Sequence, residues 1–182
     1  MSRGELCPTA SQTIGPFLSI GVRPLERPEV VQAGTQGAFV LRGRVLDGAG
    51  SGVGEGVVEL WQAAPDGSFD ASTQADGSAS WFGRSLTDAE GRFHFVTMKP
   101  GARRGPGGAE APHLELLVFG RGLLRPVRTR AYFPDEEAAN AADPVLSRVP
   151  AQRRATLVAH PEGDELVFDV RLQGVGETVF FA

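Results

Sequence analysis

A histidine and a glutamate stand two residues apart in His113-Leu114-Glu115, inside a run that alternates as a strand does. Side chains two apart on a strand point to the same side, so the imidazole and the carboxylate would converge. His160 would complete the two-histidine, one-carboxylate set of non-haem ferrous oxygenases. The competing interpretation is structural, because a single strand histidine is more often a hydrogen-bonded core or surface residue. Residues 159–163 also have the composition of an exposed turn.

The composition and the net charge exclude several other classes of site and of function. Cys7 is the only cysteine, which excludes an intrachain disulfide and a cysteine-based zinc site. The net charge of −4 is too small and of the wrong sign for binding nucleic acid or an anionic membrane. No apolar run approaches the ~18–20 residues that a membrane span needs. Residues 1–18 lack the charged and apolar regions of a secretory signal, so we expect a cytoplasmic protein.

Nearly all the cationic residues are arginines, and four of them lie close together in the sequence: Arg121, Arg125, Arg128 and Arg130. The planar guanidinium suits both carboxylate ligands and ion pairs. The cluster therefore predicts either solvent-exposed ion pairs or a local attraction for an anionic ligand.

The hydrophobic pattern that must position these residues has a period of two. Strands are predicted at residues 38–45, 56–61, 91–98, 113–119, 127–133 and 166–172. Residues 47–50 form a turn, and we expect residues 56–61 to be the hairpin partner of the first strand. Phe93 and Phe95 should face the core, with His94 on the solvent side. Many short strands separated by turns predict a single domain, residues 1–182, with an all-β antiparallel β-sandwich fold.

Helical segments are predicted only at residues 134–140 and 150–157, where a proline precedes each short run. Residues 70–80 and 102–108 lack strand character and are expected to be long loops. Residues 8–17 fit neither helix nor strand. We expect such a segment to be a tether along a surface, although its small residues would also suit a binding arm.

Several motifs, in order along almost the whole chain, resemble those of the intradiol ring-cleaving dioxygenases. Within that family they resemble the alpha subunits of protocatechuate 3,4-dioxygenases. The motifs lie at residues 11–17, 60–63, 96–101, 111–113, 119–122, 130–133, 152–157 and 174–181.

The resemblance implies a role in a hetero-oligomer of alpha and homologous beta subunits. In that family the Fe(3+) ion belongs to the beta subunit, and this chain would bind no cofactor. The complex uses O2 to cleave protocatechuate between its two hydroxyl-bearing carbons, giving 3-carboxy-cis,cis-muconate. This reaction is a step in the β-ketoadipate pathway of aromatic hydrocarbon catabolism.

The resemblance also assigns this chain's counterparts of the iron ligands, which in catalytic chains are two tyrosines and two histidines. The corresponding positions here are Phe69, Arg103, His113 and Glu115. Phenylalanine lacks the oxygen that binds ferric iron, and the charge of Arg103 would repel a cation. With Tyr132 as its only tyrosine, one chain cannot supply two tyrosinates. We therefore expect no catalytic residue and no metal in this chain.

The resemblance places part of this chain in the wall of the beta subunit's substrate pocket. Thr13, Gly15 and Pro16 would lie there on an N-terminal arm, residues 1–37, that packs on the partner, together with Arg130. Arg130 would either attract the protocatechuate carboxylate or form an ion pair across the subunit interface. Thr13 would either bond to substrate or cap the arm.

A different class of function, a stand-alone β-sandwich module that binds a ligand or protein, is also compatible with the pattern. The apolar end at residues 178–181 would be an exposed edge in a monomer. That liability favours an obligate complex.

Overall fold

The structure, a computed structural model, describes residues 9–69 and 81–181. Within these residues the strands are β1 (Ala38–Leu46), β2 (Val57–Trp61), β3 (Phe82–Leu86), β4 (Arg92–Met98), β5 (Arg103–Gly105), β6 (Gly108–Glu110), β7 (His113–Phe119), β8 (Val127–Tyr132), β9 (His160–Glu162), β10 (Glu165–Val167) and β11 (Val170–Arg171). The α-helices are α1 (Phe17–Val22) and α2 (Glu137–Ala142). Single 3-10 segments lie at Arg23–Leu25, Leu146–Arg148 and Ala151–Leu157.

Two sheets form the predicted sandwich. One sheet has the order β3-β2-β7-β8, and all its pairs are antiparallel. In the other sheet β1 pairs antiparallel with β4 and parallel with β10 and β11, while β9 extends β10. Leu41 and Phe95 from this sheet and Leu60 and Leu116 from the other are fully buried. The alternating side chains of both sheets therefore make the core, as the period of two predicts.

The hairpin prediction for β2 was wrong. The partner of β1 is β4, whereas β2 lies in the opposite sheet between β3 and β7. Residues 47–56 are long enough to make this crossing: Gly52 still forms a bridge with Leu46, and the chain then passes to the second sheet. Alternation indicates that a strand exists, but it carries no information about which strand is its neighbour.

The prediction of a long loop at residues 102–108 was also wrong. β5 and β6 form a small hairpin in this region, with Arg103 paired to Glu110 and Gly105 paired to Gly108. The ion pair between Arg103 and Glu110 joins the two ends of the hairpin, which a sequence pattern rich in glycine does not reveal. The other expected loop, residues 70–80, lies outside the described residues.

Both predicted helical segments exist, but the first, predicted at residues 134–140, is shifted at both ends and spans Glu137–Ala142. The 3-10 segment Ala151–Leu157 matches the second, whereas α2 begins only at Glu137. Lys99 holds the preceding turn, since its Nζ lies 2.7 Å from Asp135 and 2.6 Å from Glu136. The same ammonium lies 5.2 Å from the Phe133 ring centroid. The helix therefore begins after a turn whose two acidic side chains bind Lys99.

The N-terminal segment has two parts. Residues 9–15 carry no regular structure and are followed by α1. Further along, Arg27 and Glu29 form bridges with Arg84 and Val96, and Val30 is buried in the core. Residues 27–30 are therefore anchored to the sandwich of their own chain.

The C-terminal segment is not the exposed edge expected of a monomer. The Phe181 amide donates to the Arg128 carbonyl at 2.8 Å, and the Thr129 hydroxyl donates to the Val179 carbonyl at 2.8 Å. Thr178 is buried. The tail covers the edge of β8, so it supplies no argument for an obligate complex. Within the described ranges, no helix is long and apolar enough to cross a membrane.

Candidate functional site

The four residues that the family resemblance assigns as counterparts of metal ligands line one small pocket: Phe69, Arg103, His113 and Glu115. Its other walls come from the end of β2 and the turn that follows β4, at Trp61, Gln62, Ala63 and Gly101. The open space is about 10 Å³, near the minimum that a single water molecule needs. The four residues that the resemblance selected therefore lie together in space, and their side chains fill the pocket.

Close backbone packing brings Phe69 next to Arg103. Gly67 adopts φ +82°, and a Cβ atom there would lie 2.2 Å from the Ala102 carbonyl oxygen. The Gly101 amide donates to the Ala64 carbonyl at 3.0 Å, which fastens the two turns together. Only glycine permits this conformation and approach without strain. As a result the Arg103 guanidinium lies 5.9 Å from the Phe69 ring centroid.

A buried amide fixes the opposite wall. Gln62 donates from Nε2 to the Met98 carbonyl at 2.8 Å and accepts at Oε1 from the Thr97 hydroxyl at 2.6 Å. Gln62 and Thr97 are both buried. The bonds tie the end of β2 to the end of β4 across the two sheets, which makes the pocket wall rigid.

Glu110 supplies the negative charge of the site and was not identified from the sequence. The residue is 3% exposed, and its Oε2 lies 3.0 Å from Arg103 Nη2 and 3.0 Å from Arg130 Nη1. One buried carboxylate thus holds two guanidinium groups. The signal that could have found it is electrostatic: two arginines near one pocket require a counter-charge, and Glu110 directly precedes the motif at residues 111–113.

His113 is held as a neutral structural residue. Its Nδ1–H donates to the Ala111 carbonyl at 2.7 Å. Burial and the neighbouring Arg130 charge lower the pKa of His113. Nε2 is left facing Glu110 at 3.8 Å. The imidazole is therefore occupied on one side by the backbone and enclosed on the other by the charged cluster.

Tyr132, the single tyrosine, also has a structural role. The residue is fully buried, and its hydroxyl donates to Asp143 Oδ1 at 3.2 Å. Burial, with the Asp143 charge, raises the pKa of Tyr132 above its ordinary value, although Arg130 opposes the shift. Asp143 also accepts from the amides of Ala111 and Leu146. The phenol is thus a protonated donor in a packing cluster and not a tyrosinate.

The pocket does not fit a ferric ion. The Phe69 side chain has no atom that can coordinate a metal. The Arg103 guanidinium has hydrogen-bond donors but no lone pair for a metal. Glu115 lies 3.4 Å from Arg128 in an ion pair. Across residues 9–69 and 81–181, no group of three or more histidine, cysteine, aspartate or glutamate side chains could hold a metal. Of the four positions, only His113 and Glu115 carry side chains that can ligate a metal, and these are held by the Ala111 carbonyl and by Arg128.

The ferrous-site alternative is wrong because the fold separates its members. His113 and Glu115 line the same pocket, but His160 begins β9, which pairs with β10 in the other sheet. His160 is exposed and lines a different groove. Residues 159–163 were predicted to be an exposed turn. Most of this segment is instead a strand, because β9 spans His160–Glu162.

The residues expected to face a partner's substrate pocket fall in two places. Thr13, Gly15 and Pro16 are exposed on the arm, and Thr13 accepts at its hydroxyl from the Gly122 amide at 2.8 Å. This contact fastens the arm to the β7–β8 turn. Arg130 lies further along β8, where its side chain is 12% exposed and bonded to Glu110.

The arginine cluster consists largely of ion pairs. Arg121 lies 3.5 Å from Glu55, Arg128 pairs with Glu115 and Arg130 with Glu110. The four arginines therefore form no single site for an anion. Exposed pairs of this kind contribute little stability, whereas the buried Arg130 pair contributes to the architecture of the pocket.

The fold is a two-sheet β-sandwich, and similarity to known proteins places it in a class, the dioxygenases. A family model described as Dioxygenase matches residues 26–174. The Burkholderia cepacia protocatechuate 3,4-dioxygenase alpha chain is 42% identical and covers 95% of this chain and 96% of the relative. The protocatechuate 3,4-dioxygenase beta chain from the same organism is 33% identical, and the match covers 75% of this chain and 64% of that beta chain.

The solved dioxygenase domain of a carbohydrate-binding fusion protein from Streptomyces sp. SirexAA-E has the same fold. It superposes with a TM-score of 0.63 at 23% identity and covers 96% of each chain. The present chain therefore belongs to the intradiol dioxygenase family, which also contains the alpha and beta chains of protocatechuate 3,4-dioxygenase.

Proposed function

We propose that this chain is the non-catalytic alpha subunit of a protocatechuate 3,4-dioxygenase. The observation that carries the proposal is the filled pocket, in which Phe69, Arg103 and Glu115 stand at ligand positions and Glu110 neutralises the arginines. Similarity to alpha chains over 95% of the sequence supports it. A subunit whose own site has been converted to an ion-pair cluster contributes structure and substrate contacts, not chemistry at a metal.

The partner in this proposal is a homologous beta subunit that holds Fe(3+). Its support is the membership of a beta chain in the same family, at 33% identity to this chain. The complex would use O2 for intradiol cleavage of protocatechuate to 3-carboxy-cis,cis-muconate, a step of the β-ketoadipate pathway. The assembly would be cytoplasmic, which suits a chain with a single cysteine.

The arm, residues 1–37, is proposed to pack on the beta subunit. Three of its side chains support this, since Phe17, Ile20 and Leu25 are 78%, 65% and 60% exposed. Large apolar side chains exposed in one segment mark an interaction surface. Residues 27–30 and the Thr13–Gly122 hydrogen bond would anchor the arm to its own sandwich, while the exposed apolar side chains between them meet the partner.

The substrate contacts in this proposal are Thr13, Gly15, Pro16 and Arg130. The Gly15–Pro16 corner is exposed, and among the described residues no heavy atom beyond Gly15 and its chain neighbours lies within 4 Å of the position a Gly15 Cβ would occupy. That open space suits the close approach of a flat ring. Arg130 would contribute a positive charge near the substrate carboxylate while Glu110 fixes its orientation. Holding the substrate in register with the metal lowers the barrier without any proton or electron transfer by this chain.

The test compares the chain expressed alone with the chain co-expressed with a beta subunit. Alone, it should be colourless, contain no stoichiometric iron and cleave no protocatechuate. The co-purified particle should show visible tyrosinate–iron absorption, about one iron per alpha–beta pair and ring cleavage. Elemental analysis, absorption spectra and O2 uptake measure the three properties.

Each outcome has a distinct meaning. Iron and turnover in the isolated chain would overturn the non-catalytic assignment. A chain that remains a monomer in the presence of a beta subunit, and binds an aromatic ligand unaided, would favour the stand-alone module. Mass measurement of the co-purified particle gives the number of alpha–beta pairs.

A further inference from the structure

A groove on the other side of the molecule has the features of a small-ligand site. It lies between the 3-10 segment Ala151–Leu157, strands β9 to β11 and the turn at residues 174–176, and its volume is about 330 Å³. This volume falls in the usual range of small-molecule sites. The degenerate metal pocket shares no lining residue with it.

The lining is apolar in its depth. Phe168 belongs to the larger hydrophobic cluster, Val158 packs against the smaller one, and Leu46 is a further buried lining residue. Phe168 is only 2% exposed. The groove therefore opens where the clusters meet. A ligand seated here would place an apolar body against these side chains and remove it from water.

The guanidinium of Arg171 is the charged group of the groove that is left for a ligand. Within residues 9–69 and 81–181 its side chain has no hydrogen bond or ion pair, and only its backbone is bonded, to Thr178. By contrast, Arg153, at the neighbouring rim, lies 3.4 Å from Glu177. The Arg171 head group rests near Gly50 and Gly176, whose lack of side chains leaves it accessible.

The surrounding charges restrict what the guanidinium can hold. Asp169 also lines the groove, and its Oδ1 accepts from the Arg44 amide at 2.8 Å. His160 lies at the exposed rim. A carboxylate that lines the same groove as Arg171 would repel a dianion such as phosphate more than a monoanion. The arginine fork matches the geometry of a single carboxylate.

We propose that this groove binds a small aryl monocarboxylate, with its carboxylate on Arg171 and its ring against Val158 and Phe168. The inference uses the groove alone and does not depend on the function proposed above. A site of this kind would allow an aromatic acid to bind this subunit directly.

The test titrates 4-fluorobenzoate into the full chain and follows the 19F resonance. We expect saturable binding that Arg171→Gln weakens about ten- to a hundredfold, the range for a lost hydrogen bond to a charged group. Arg148→Gln removes an equal charge at an exposed position outside the groove and should leave the affinity unchanged. Wild-type chain should bind the uncharged 4-fluorobenzamide at least about tenfold more weakly than the acid.

Methyl spectra locate the ligand independently of any variant. Resonances of Leu46 and Val158 should shift on addition of 4-fluorobenzoate, and those of Leu117, on the opposite sheet, should not. Equal affinity of wild type and Arg171→Gln, equal binding of acid and amide, or shifts confined to the other sheet would each overturn the proposal. Binding of inorganic phosphate in preference to 4-fluorobenzoate would also overturn it.

Discussion

Oε2 of Glu110 lies 3.0 Å from Nη1 of Arg130, at a depth where Glu110 is 3% exposed. The same oxygen lies 3.0 Å from Arg103. The carboxylate therefore pairs with two partly buried guanidinium groups, one of which, Arg103, lines the pocket with Phe69 and His113. Removing one member of a buried ion pair leaves an uncompensated charge, which is costly in a low-dielectric interior.

Glu110→Gln should lower the free energy of unfolding by about 3 kcal/mol, because both arginines lose their charged partner. Urea denaturation of the isolated chain at neutral pH measures the change. The matched control is Glu90→Gln, which breaks an ion pair with Arg92 in which both side chains are more than half exposed. That change should stay within about 0.5 kcal/mol. Similar losses of unfolding free energy in both variants would show that the buried ion pairs of Glu110 contribute no more to stability than an exposed pair does.

Stability should fall as the pH drops below about 6.5, the unfolded pKa of histidine. Burial and the Arg130 charge lower the pKa of His113 in the folded chain. The unfolded chain therefore binds the proton first, and acid favours unfolding between the two pKa values. The slope from this residue should not exceed about 1.4 kcal/mol per pH unit.

His113→Gln should flatten that pH dependence, as measured by urea unfolding at pH 7 and pH 5. His94→Gln is the control, since His94 is exposed on β4 and should leave the slope as in wild type. A slope unchanged by His113→Gln would contradict the assignment of the titration to the buried imidazole.

Arg130→Ala, in the complex with a beta subunit, should raise KM for protocatechuate about tenfold and KM for catechol much less. Only protocatechuate carries the carboxylate that the guanidinium would attract. Steady-state O2 uptake with both substrates gives the two values. Arg128→Ala, on the same face of β8, is the charge-matched control and should not separate the substrates. Equal losses for both substrates in Arg130→Ala would indicate a purely structural role.

Phe181→Ala should destabilise the chain by about 1 kcal/mol. The ring packs against the smaller hydrophobic cluster and lies 5.8 Å from the Arg130 guanidinium carbon, so its loss removes apolar contact and a cation–π interaction. The backbone bond from Phe181 to Arg128 survives the substitution. Val175→Ala, at a position 96% exposed, should change the unfolding free energy by less than about 0.5 kcal/mol. Thermal unfolding of both variants measures the two changes, and equal changes would contradict a stabilising role of the Phe181 ring.

Alternation predicted β1, β2, β4, β7 and β8, because burial on one face of a sheet gives the sequence a period of two. It missed β3, and the single strand predicted near residues 166–172 is divided into β10 and β11. Phe93 and Phe95 are buried and His94 is exposed, as expected. Pairing was not predictable in the same way. The partner of β2 depends on where residues 47–56 lead the chain, and no local pattern records that path.

The candidate pocket was predictable only in part. Phe69, Arg103, His113 and Glu115 were brought together by resemblance, and the structure places them in one pocket. Glu110 was missed because a glutamate at the end of a glycine-rich segment looks solvent-exposed. Its burial follows from the β5–β6 hairpin, which forms around the ion pair itself. His160 failed as a ligand because strand spacing cannot bring together residues from opposite sheets.

Lys99 has a practical consequence for chemical modification. It is the only lysine, and its contacts with Asp135 and Glu136 raise the pKa of its ammonium group although partial burial opposes the shift. Acylating reagents attack the unprotonated amine, so Lys99 should react slowly near neutral pH. An acylated Lys99 would lose its contacts with Asp135 and Glu136, and the rate of labelling would therefore report on the turn that precedes α2.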